Sequence, residues 1–175
     1  MRALKLYIAS SIDGYIARPD GDVKWLEDKD FMIPGEDFGY HEFLKTIDTT
    51  LMGGETYRIV LGFGIPWPYP DKVNYVFSRK DNPPDKNVSF VKDDIVGFVK
   101  NLKYQEGKDI WLVGGGQINT LLMDQGLVDE MIISVMPIIL GKGIPMFTES
   151  DQSTKYKLAS TKAYISGVIQ LVYKL

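Results

Sequence analysis

Cysteine is absent from the sequence, which excludes disulfide bonds and thiolate chemistry and is typical of a protein from a reducing compartment. The single histidine, His41, is too little for a histidine-based metal site, and a Ser-His-Asp triad would depend on that one ring. No apolar run approaches the roughly 20 residues that span a bilayer. A formal net charge of −3 provides no basic surplus to attract nucleic acid or an anionic membrane. We therefore expect a cytoplasmic protein that holds no metal and binds neither nucleic acid nor membrane.

The rest of the composition is typical of a globular protein. Hydrophobic residues make up 45% of the chain and charged residues 25%. A chain of 175 residues is long enough to bury about two thirds of the surface of its unfolded form. Because the sequence contains neither an internal repeat nor a low-complexity tract, we expect residues 1–175 to form a single domain.

Short apolar runs typical of strands alternate with helical patterns along the chain. Strands are expected at 4–10, 49–52, 73–77, 88–91, 110–113 and 130–136, with two more near 156–164 and 168–174. Helices are expected at 37–47, 55–61 and 93–103, and a fourth is expected to begin at Gln117. Ser166 and Gly167 favour a hairpin turn between the last two strands. The pattern predicts an α/β fold with a mostly parallel sheet and an antiparallel edge at the C-terminus.

Three consecutive glycines, Gly114, Gly115 and Gly116, lie between the strand at 110–113 and the helix that begins at Gln117. Glycine has no Cβ atom, so a bound group can lie directly against the backbone at such a turn. The first amides of a helix have no partner within the helix, and the helix dipole favours negative charge there. The turn is therefore suited to a phosphate. The alternative is a tight turn that needs glycine only for its positive φ angles.

A second turn of the same kind follows the strand at 49–52, where Gly53 and Gly54 precede the next helix. Thr56 lies in the first turn of that helix. Its hydroxyl could donate to a phosphate oxygen or cap the helix, and capping is the more common role of threonine at such a position.

A serine and two basic residues follow the strand at 73–77, in the run Ser78-Arg79-Lys80. Because the carboxyl ends of neighbouring parallel strands meet at one rim, we expect this run to face the same ligand as the two glycine turns. Backbone amides would hold a pyrophosphate, and Ser78 with Arg79 would suit an additional phosphate. The combination predicts a dinucleotide such as NADP, bound without the GxGxxG pattern.

Five pieces of the sequence together resemble the dihydrofolate reductase superfamily, and within it the branch that contains the reductase domain of riboflavin-biosynthesis enzymes. The pieces occur in the family's order and cover nearly the whole chain. They are residues 11–17 (SIDGYIA), 52–57 (MGGETY), 76–79 (VFSR), 112–118 (LVGGGQI) and 128–147, which contains VDE, LGKGI and Phe147. The resemblance implies a three-layer fold like that of dihydrofolate reductase.

The same resemblance implies that the cofactor is NADPH. The first strand and its following loop would line the nicotinamide, and the two glycine turns and the end of the strand at 73–77 would bind the rest. The chain has Gly54 where the family usually has a basic residue, so Arg79 or Lys80 would supply that charge. The implied cofactor-binding residues are Ala9, Ile16, Ala17, Gly53, Gly54, Glu55, Thr56, Ser78, Arg79, Gly114, Gly115, Gly116, Gln117 and Ile118.

The resemblance also implies a carboxylate that holds the substrate ring, on the helix before the Met-Gly motif. The family's offset from Gly53 falls on Asp37 (53 − 37 = 16), and the hydroxyl that usually supports this acid corresponds to Ser134. Asp37 and Ser134 are therefore the implied catalytic residues. The alternative for Asp37 is a purely local role as a helix N-cap, because it follows Pro34-Gly35-Glu36 at a predicted helix start.

Two further side chains are predicted to contact the substrate. His41 lies one helical turn after Asp37 and would share its face of the helix. Trp25 lies in a loop and would stack on a flat ring, although aromatic residues in loops more often cover a core.

The sequence thus predicts an NADPH-dependent reductase that transfers hydride to a pterin or to a ribosylaminopyrimidinone phosphate, as in riboflavin biosynthesis. It would be a free-standing reductase, because no deaminase module is present in the sequence. The alternative is an NADP-binding sensing or interaction protein without turnover. Apolar strand pairs near the C-terminus, Val168-Ile169 and Leu171-Val172, together with the resemblance favour a homodimer.

Overall fold

The computed structural model describes residues 1–175. Its helices are α1 (Tyr40–Thr46), α2 (Gly54–Gly62), α3 (Ile95–Tyr104) and α4 (Gly116–Asp124), and a 3-10 turn covers Lys24–Glu27. None of the helices has the length and apolar character needed to cross a membrane. The strands are β1 (Leu4–Ser11), β2 (Tyr15–Ala17), β3 (Ile47–Gly53), β4 (Val73–Phe77), β5 (Ser89–Val91), β6 (Asp109–Gly114), β7 (Glu130–Met136), β8 (Ile144–Pro145), β9 (Lys157–Ala163) and β10 (Ile169–Lys174).

One eight-stranded sheet, in the order β5-β4-β3-β6-β1-β7-β10-β9, forms the centre of the molecule. The strands from β5 to β7 in this order all pair in parallel. β10 pairs antiparallel with β7 and with β9, and Gly167 turns the chain between β9 and β10 with a φ of 84°. The predicted α/β fold, with a mostly parallel sheet and an antiparallel C-terminal edge, is confirmed. β2 and β8 form a separate two-stranded ribbon.

Helices cover both faces of the sheet and so produce three layers. Leu112 of β6 belongs to the largest core cluster, which also contains Val99 of α3 and Leu122 of α4. The preceding residue, Trp111, packs instead against Phe43 of α1. Successive side chains of a strand point to opposite faces, so α3 and α4 lie on one face and α1 on the other. Each fully buried leucine stabilises the fold by about 1.5–3 kcal/mol.

The first helix begins later than the sequence pattern indicates. It was expected at 37–47, whereas α1 begins at Tyr40 and ends at Thr46, and β3 begins at Ile47. The residues before it, Phe38 and Gly39, have φ angles of 57° and 82°. A right-handed helix requires negative φ, so the chain cannot be helical before Tyr40.

Candidate functional site

The carboxyl ends of β1, β3, β4 and β6 lie along one rim of the sheet, because these strands are parallel and adjacent. A cavity of about 1120 Å³ opens at this rim. It is lined by both glycine turns, by the residues that follow β4 and by the segment that follows β1. The structure therefore brings together the three strand ends that the sequence analysis singled out.

The two glycine turns are in direct contact. Thr56, in the first turn of α2, donates its hydroxyl hydrogen to the carbonyl oxygen of Gly114 at 3.1 Å. No side chain caps the start of α2. The Thr56 hydroxyl is therefore neither a helix cap nor a free donor, and it joins the turn after β3 to the turn after β6.

The turn between β6 and α4 has an unusual backbone. Gly114 and Gly115 have φ angles of 127° and 108°, which L side chains rarely adopt. The first amide bonded within the helix is that of Asn119, which donates to the carbonyl oxygen of Gly115 at 3.0 Å. The amides of residues 116–118 thus have no acceptor within α4 and are available to a ligand. A Cβ atom on Gly116 would overlap the carbonyl oxygen of Pro145, so packing against β8 requires the third glycine.

The segment after β4 supplies the cation that faces the cavity. Arg79 lines the cavity and takes part in no ion pair, whereas Lys80 does not line it. Lys92 also lines the cavity, but its ammonium group is paired with Asp81. The neighbouring Ser78 is buried, and its hydroxyl oxygen accepts a hydrogen bond from Asn82 Nδ2 at 2.9 Å. Of the two basic residues considered for the extra phosphate of NADP, the geometry favours Arg79.

The opposite end of the cavity is formed by β1 and the segment that follows it. Ala9, Ile16 and Ala17, which the family resemblance associates with the nicotinamide, all line this end. The cavity lining includes every predicted cofactor-binding residue except Gly114. These residues are Ala9, Ile16, Ala17, Gly53, Gly54, Glu55, Thr56, Ser78, Arg79, Gly115, Gly116, Gln117 and Ile118.

Asp37 does not line the cavity. Its Oδ1 accepts a hydrogen bond from the Gly39 amide at 2.9 Å, and its Oδ2 accepts one from the His41 amide at 2.8 Å. The exposed His41 ring contacts the same carboxylate through Nδ1 and is also outside the cavity lining. The hydrogen bonds from the His41 amide and then from its ring hold the pKa of Asp37 at about 2. The N-cap residue of α1 is Gly39, so Asp37 lies two residues before the N-cap position, and its carboxylate accepts from an amide of the first turn. A catalytic role for Asp37 stays a prediction.

Ser134 and Trp25 are buried outside the cavity lining. Ser134 lies on β7 directly beside Ala9 of β1, and its hydroxyl oxygen accepts a hydrogen bond from Gln170 Nε2 at 3.2 Å. Trp25 packs in a core cluster with Tyr164, and its Nε1 has no hydrogen-bond partner. The structure thus gives Trp25 the core position that is common for aromatic residues in loops. The substrate contact predicted for Trp25 and the catalytic role predicted for Ser134 stay predictions.

Tyr7 is a cavity residue that the sequence analysis did not single out. Its hydroxyl donates to the carbonyl oxygen of Phe38 at 3.0 Å, and burial raises its pKa to about 12. Tyr69 lines the same cavity, and burial raises its pKa as well. The strand period could have identified Tyr7, because it lies two residues from Ala9 and therefore on the same face of β1.

The charged residues that line the cavity are all contributed by the β3, β4 and β5 side of the sheet. They are Glu55, Arg79, Lys92, Asp93 and Asp94. The end next to Ala9 is lined by apolar residues and by Tyr7. The cavity is therefore charged at one end and uncharged at the other.

Comparison with known proteins identifies the family of the chain. The family model of the RibD C-terminal domain matches residues 2–170. Two uncharacterized proteins of Bacillus subtilis strain 168 are similar over nearly their whole length. YwjB is 39% identical over 174 residues, which are 98% of this chain and 97% of YwjB. YyaP is 36% identical over 184 residues, which are 98% of this chain and 94% of YyaP.

Solved structures share the fold. A protein from Shewanella sp. PV-4, whose name assigns it to riboflavin biosynthesis, matches with a TM-score of 0.87 and 29% identity over 98% of both chains. The diaminohydroxyphosphoribosylaminopyrimidine deaminase/5-amino-6-(5-phosphoribosylamino)uracil reductase of Thermotoga maritima matches with a TM-score of 0.72 and 18% identity, over 99% of this chain and 56% of that one. The family model covers nearly the whole chain, and so do the two relatives and the solved structures. The chain therefore belongs to the RibD C-terminal domain family, whose fold is that of the riboflavin-pathway reductases.

Proposed function

We propose that the protein is an NADPH-dependent reductase that transfers hydride to a small heterocyclic substrate. The observation that carries the proposal is the single cavity lined by both glycine turns, by the unpaired Arg79 and by the apolar residues at the end of β1. Membership of the RibD C-terminal domain family supports an oxidoreductase.

The residues of the cavity fit a dinucleotide. The amides of residues 116–118 have no acceptor within α4, and Gly115 presents no Cβ atom in front of them, so a phosphate can approach the backbone. Arg79 would hold the extra phosphate of NADP, in place of the basic residue that Gly54 replaces. Ala9, Ile16 and Ala17 would form the apolar wall beside the nicotinamide. Once bound, NADPH supplies a hydride.

For the substrate, we propose a ribosylaminopyrimidinone phosphate rather than a pterin. Binding of a protonated pterin edge relies on a carboxylate beside the ring, and Asp37 does not line the cavity. The uracil reductase named in the Thermotoga maritima protein acts on a substrate of the pyrimidine class. A pyrimidinedione ring carries carbonyl and N–H groups, which uncharged hydrogen-bonding groups can satisfy.

The second candidate is a sensing or interaction protein that binds NADPH without turnover. One observation favours it, since the only carboxylate predicted to hold the substrate is engaged by the first turn of α1.

A two-step assay tests the proposal. NADPH is first titrated into the protein and binding is followed by cofactor fluorescence. NADPH oxidation is then measured with 5-amino-6-(5-phosphoribosylamino)uracil and, separately, with dihydrofolate. We expect binding, followed by oxidation with the pyrimidine. Binding without oxidation by either compound would support the second candidate, and absence of NADPH binding would contradict both.

We also propose that the protein is a cytoplasmic homodimer. All residues of the edge strand β9 are exposed, and Leu158 on this strand is an exposed apolar side chain. An exposed edge strand with one side unpaired can pair with a second copy. Sedimentation equilibrium should then give about twice the monomer mass of 19.8 kDa, and the monomer mass at micromolar concentration would contradict the proposal.

A further inference from the structure

A polar cluster at the β1 end of the cavity fixes the position of Tyr7. The Tyr7 hydroxyl donates to the carbonyl oxygen of Phe38 at 3.0 Å. Gln170 of β10 donates through Nε2 to the same carbonyl oxygen at 2.9 Å and to Ser134 Oγ at 3.2 Å. Phe38, Ser134 and Gln170, from three distant parts of the chain, thus form one hydrogen-bonded cluster, and Phe38 connects it to a phenol that lines the cavity.

The acceptor in this cluster is held by a backbone conformation that few residues adopt. Phe38 has a φ of 57°, in the left-handed region. Its amide donates to Glu36 Oε1 at 2.9 Å, and its ring packs edge-on against Tyr164 with centroids 4.7 Å apart. Strained residues persist where their surroundings determine them fully, and they are often found at functional sites.

The two donors on the Phe38 carbonyl have a chemical consequence. A carbonyl oxygen has two lone pairs, and here one accepts from Tyr7 and the other from Gln170. If the Tyr7 hydroxyl hydrogen turns toward a ligand, the carbonyl keeps the hydrogen bond from Gln170. The rotation therefore leaves no buried polar group without a partner, which would otherwise be costly. Burial raises the pKa of Tyr7 to about 12, so the hydroxyl is a donor at neutral pH.

We propose that Tyr7 is a catalytic residue that donates its hydroxyl hydrogen to the substrate heteroatom that gains the electron pair during reduction, and that Gln170 is the positioning residue that permits this. The inference rests on the proposed function. When the hydride forms a new C–H bond on the carbon of a C=N or C=O group, the π electron pair moves to the nitrogen or oxygen. The Tyr7 proton passes to that atom, and the tyrosinate recovers a proton from water.

Two phenols line the cavity, Tyr7 and Tyr69. Tyr7 is the one on β1, two residues from Ala9, whereas Tyr69 lies in the segment before β4. The carboxylates that line the cavity, Glu55, Asp93 and Asp94, follow β3 and β5 and therefore lie toward the β5 edge of the sheet, away from β1. Asp37 is outside the lining. Hydrogen-bond donors aimed at developing charge typically account for a hundredfold to a thousandfold in kcat.

The test compares Tyr7→Phe with Tyr40→Phe in the full-length protein. Tyr40 is a neighbouring half-buried tyrosine, with ring centroids 5.9 Å from Tyr7, but it does not line the cavity. Both changes remove one hydroxyl and keep the ring, so the stacking of Tyr7 on Phe43 is retained. With NADPH and 5-amino-6-(5-phosphoribosylamino)uracil, we expect Tyr7→Phe to lower kcat about a hundredfold while NADPH affinity stays within about twofold. Tyr40→Phe should retain wild-type kcat.

Gln170→Leu provides the readout for the positioning role. It removes the second donor on the Phe38 carbonyl, so the Tyr7 hydrogen is retained there, and kcat should fall about tenfold with KM unchanged. A higher KM at an unchanged kcat in Gln170→Leu would contradict the positioning role of Gln170. Circular dichroism melting curves confirm that each variant is folded.

The outcomes separate this inference from the proposed function. If the wild-type protein oxidises NADPH and Tyr7→Phe is equally active, the role of Tyr7 is refuted and the reductase function remains. If the wild-type protein binds NADPH but reduces neither the pyrimidine nor dihydrofolate, the reductase function is refuted. The pyrimidine is then titrated calorimetrically into the protein loaded with NADP⁺. A tenfold weaker affinity in Tyr7→Phe would support the contact, and equal or absent binding would refute it.

Discussion

Replacing Gly115 with alanine adds one carbon atom to the turn between β6 and α4. Gly115 has a φ of 108°, and the new Cβ atom would lie 3.1 Å from Thr56 Oγ1. An alanine in such a sparsely populated conformation costs about 1–3 kcal/mol. Displacing Thr56 would weaken its hydrogen bond to Gly114, which is worth about 1 kcal/mol. Since domains unfold at a cost of about 5–15 kcal/mol, we expect the variant to remain folded and its ligand binding to be measurable.

NADPH affinity, measured by fluorescence titration, is the decisive quantity for this variant. We expect the dissociation constant to rise at least tenfold, which corresponds to about 1.4 kcal/mol, because the amides that follow Gly115 change their direction. Gly126→Ala is the matched control, since Gly126 has a φ of 62° and no atom within 4 Å of an added Cβ, and it does not line the cavity. The control should lose stability but keep its NADPH affinity. An unchanged affinity in Gly115→Ala, or an equal loss in both variants, would refute the reasoning.

Three further predictions follow from the site. Arg79→Ala should weaken NADPH at least tenfold and leave NADH within about twofold, because only NADPH carries the extra phosphate; equal weakening of both would contradict this role. Asp37→Ala should lower the melting temperature and leave turnover within a few-fold, whereas abolished turnover would support its catalytic role. The pKa of Asp37 is about 2 in the folded protein, below its ordinary value of about 4. The stability that Asp37 contributes is therefore fully present above pH 4 and is lost as the pH falls to 2, so the difference in melting temperature between the wild type and Asp37→Ala should vanish over that range. A 2,4-diaminopyrimidine should not compete with the pyrimidine substrate, since no carboxylate lies at the β1 end, and competition at micromolar concentration would contradict this.

The glycine turns could be predicted from the sequence because their origin is local. A strand, two or three glycines and a helix start occupy a dozen consecutive residues, and the parallel topology then brings all such turns to one rim. The same reasoning associated Ser78 and Arg79 with this rim. Ala9, Ile16 and Ala17 came from the family resemblance, and they line the cavity.

The role of Asp37 could not be decided from its spacing to Gly53. An offset along the chain contains no information on the positive φ angles of Phe38 and Gly39, which delay the start of α1 to Tyr40, or on the hydrogen bonds that the Asp37 carboxylate accepts from the amides of Gly39 and His41. Tyr7 was missed for a different reason. Its importance depends on Phe38 and Gln170, which are 31 and 163 residues away in the sequence (38 − 7 = 31; 170 − 7 = 163). Such long-range convergence becomes visible only in the folded protein.

The most direct measurement is an NMR titration of the ¹⁵N-labelled protein with NADPH, which reports on each backbone amide. If a phosphate binds to the start of α4, the amide proton resonances of Gly116 and Gln117 should shift downfield as new hydrogen bonds form, and those of Ala9 and Ile16 should shift with the arrival of the nicotinamide ring. Saturating NADPH that leaves the Gly116 and Gln117 resonances unchanged would contradict the account.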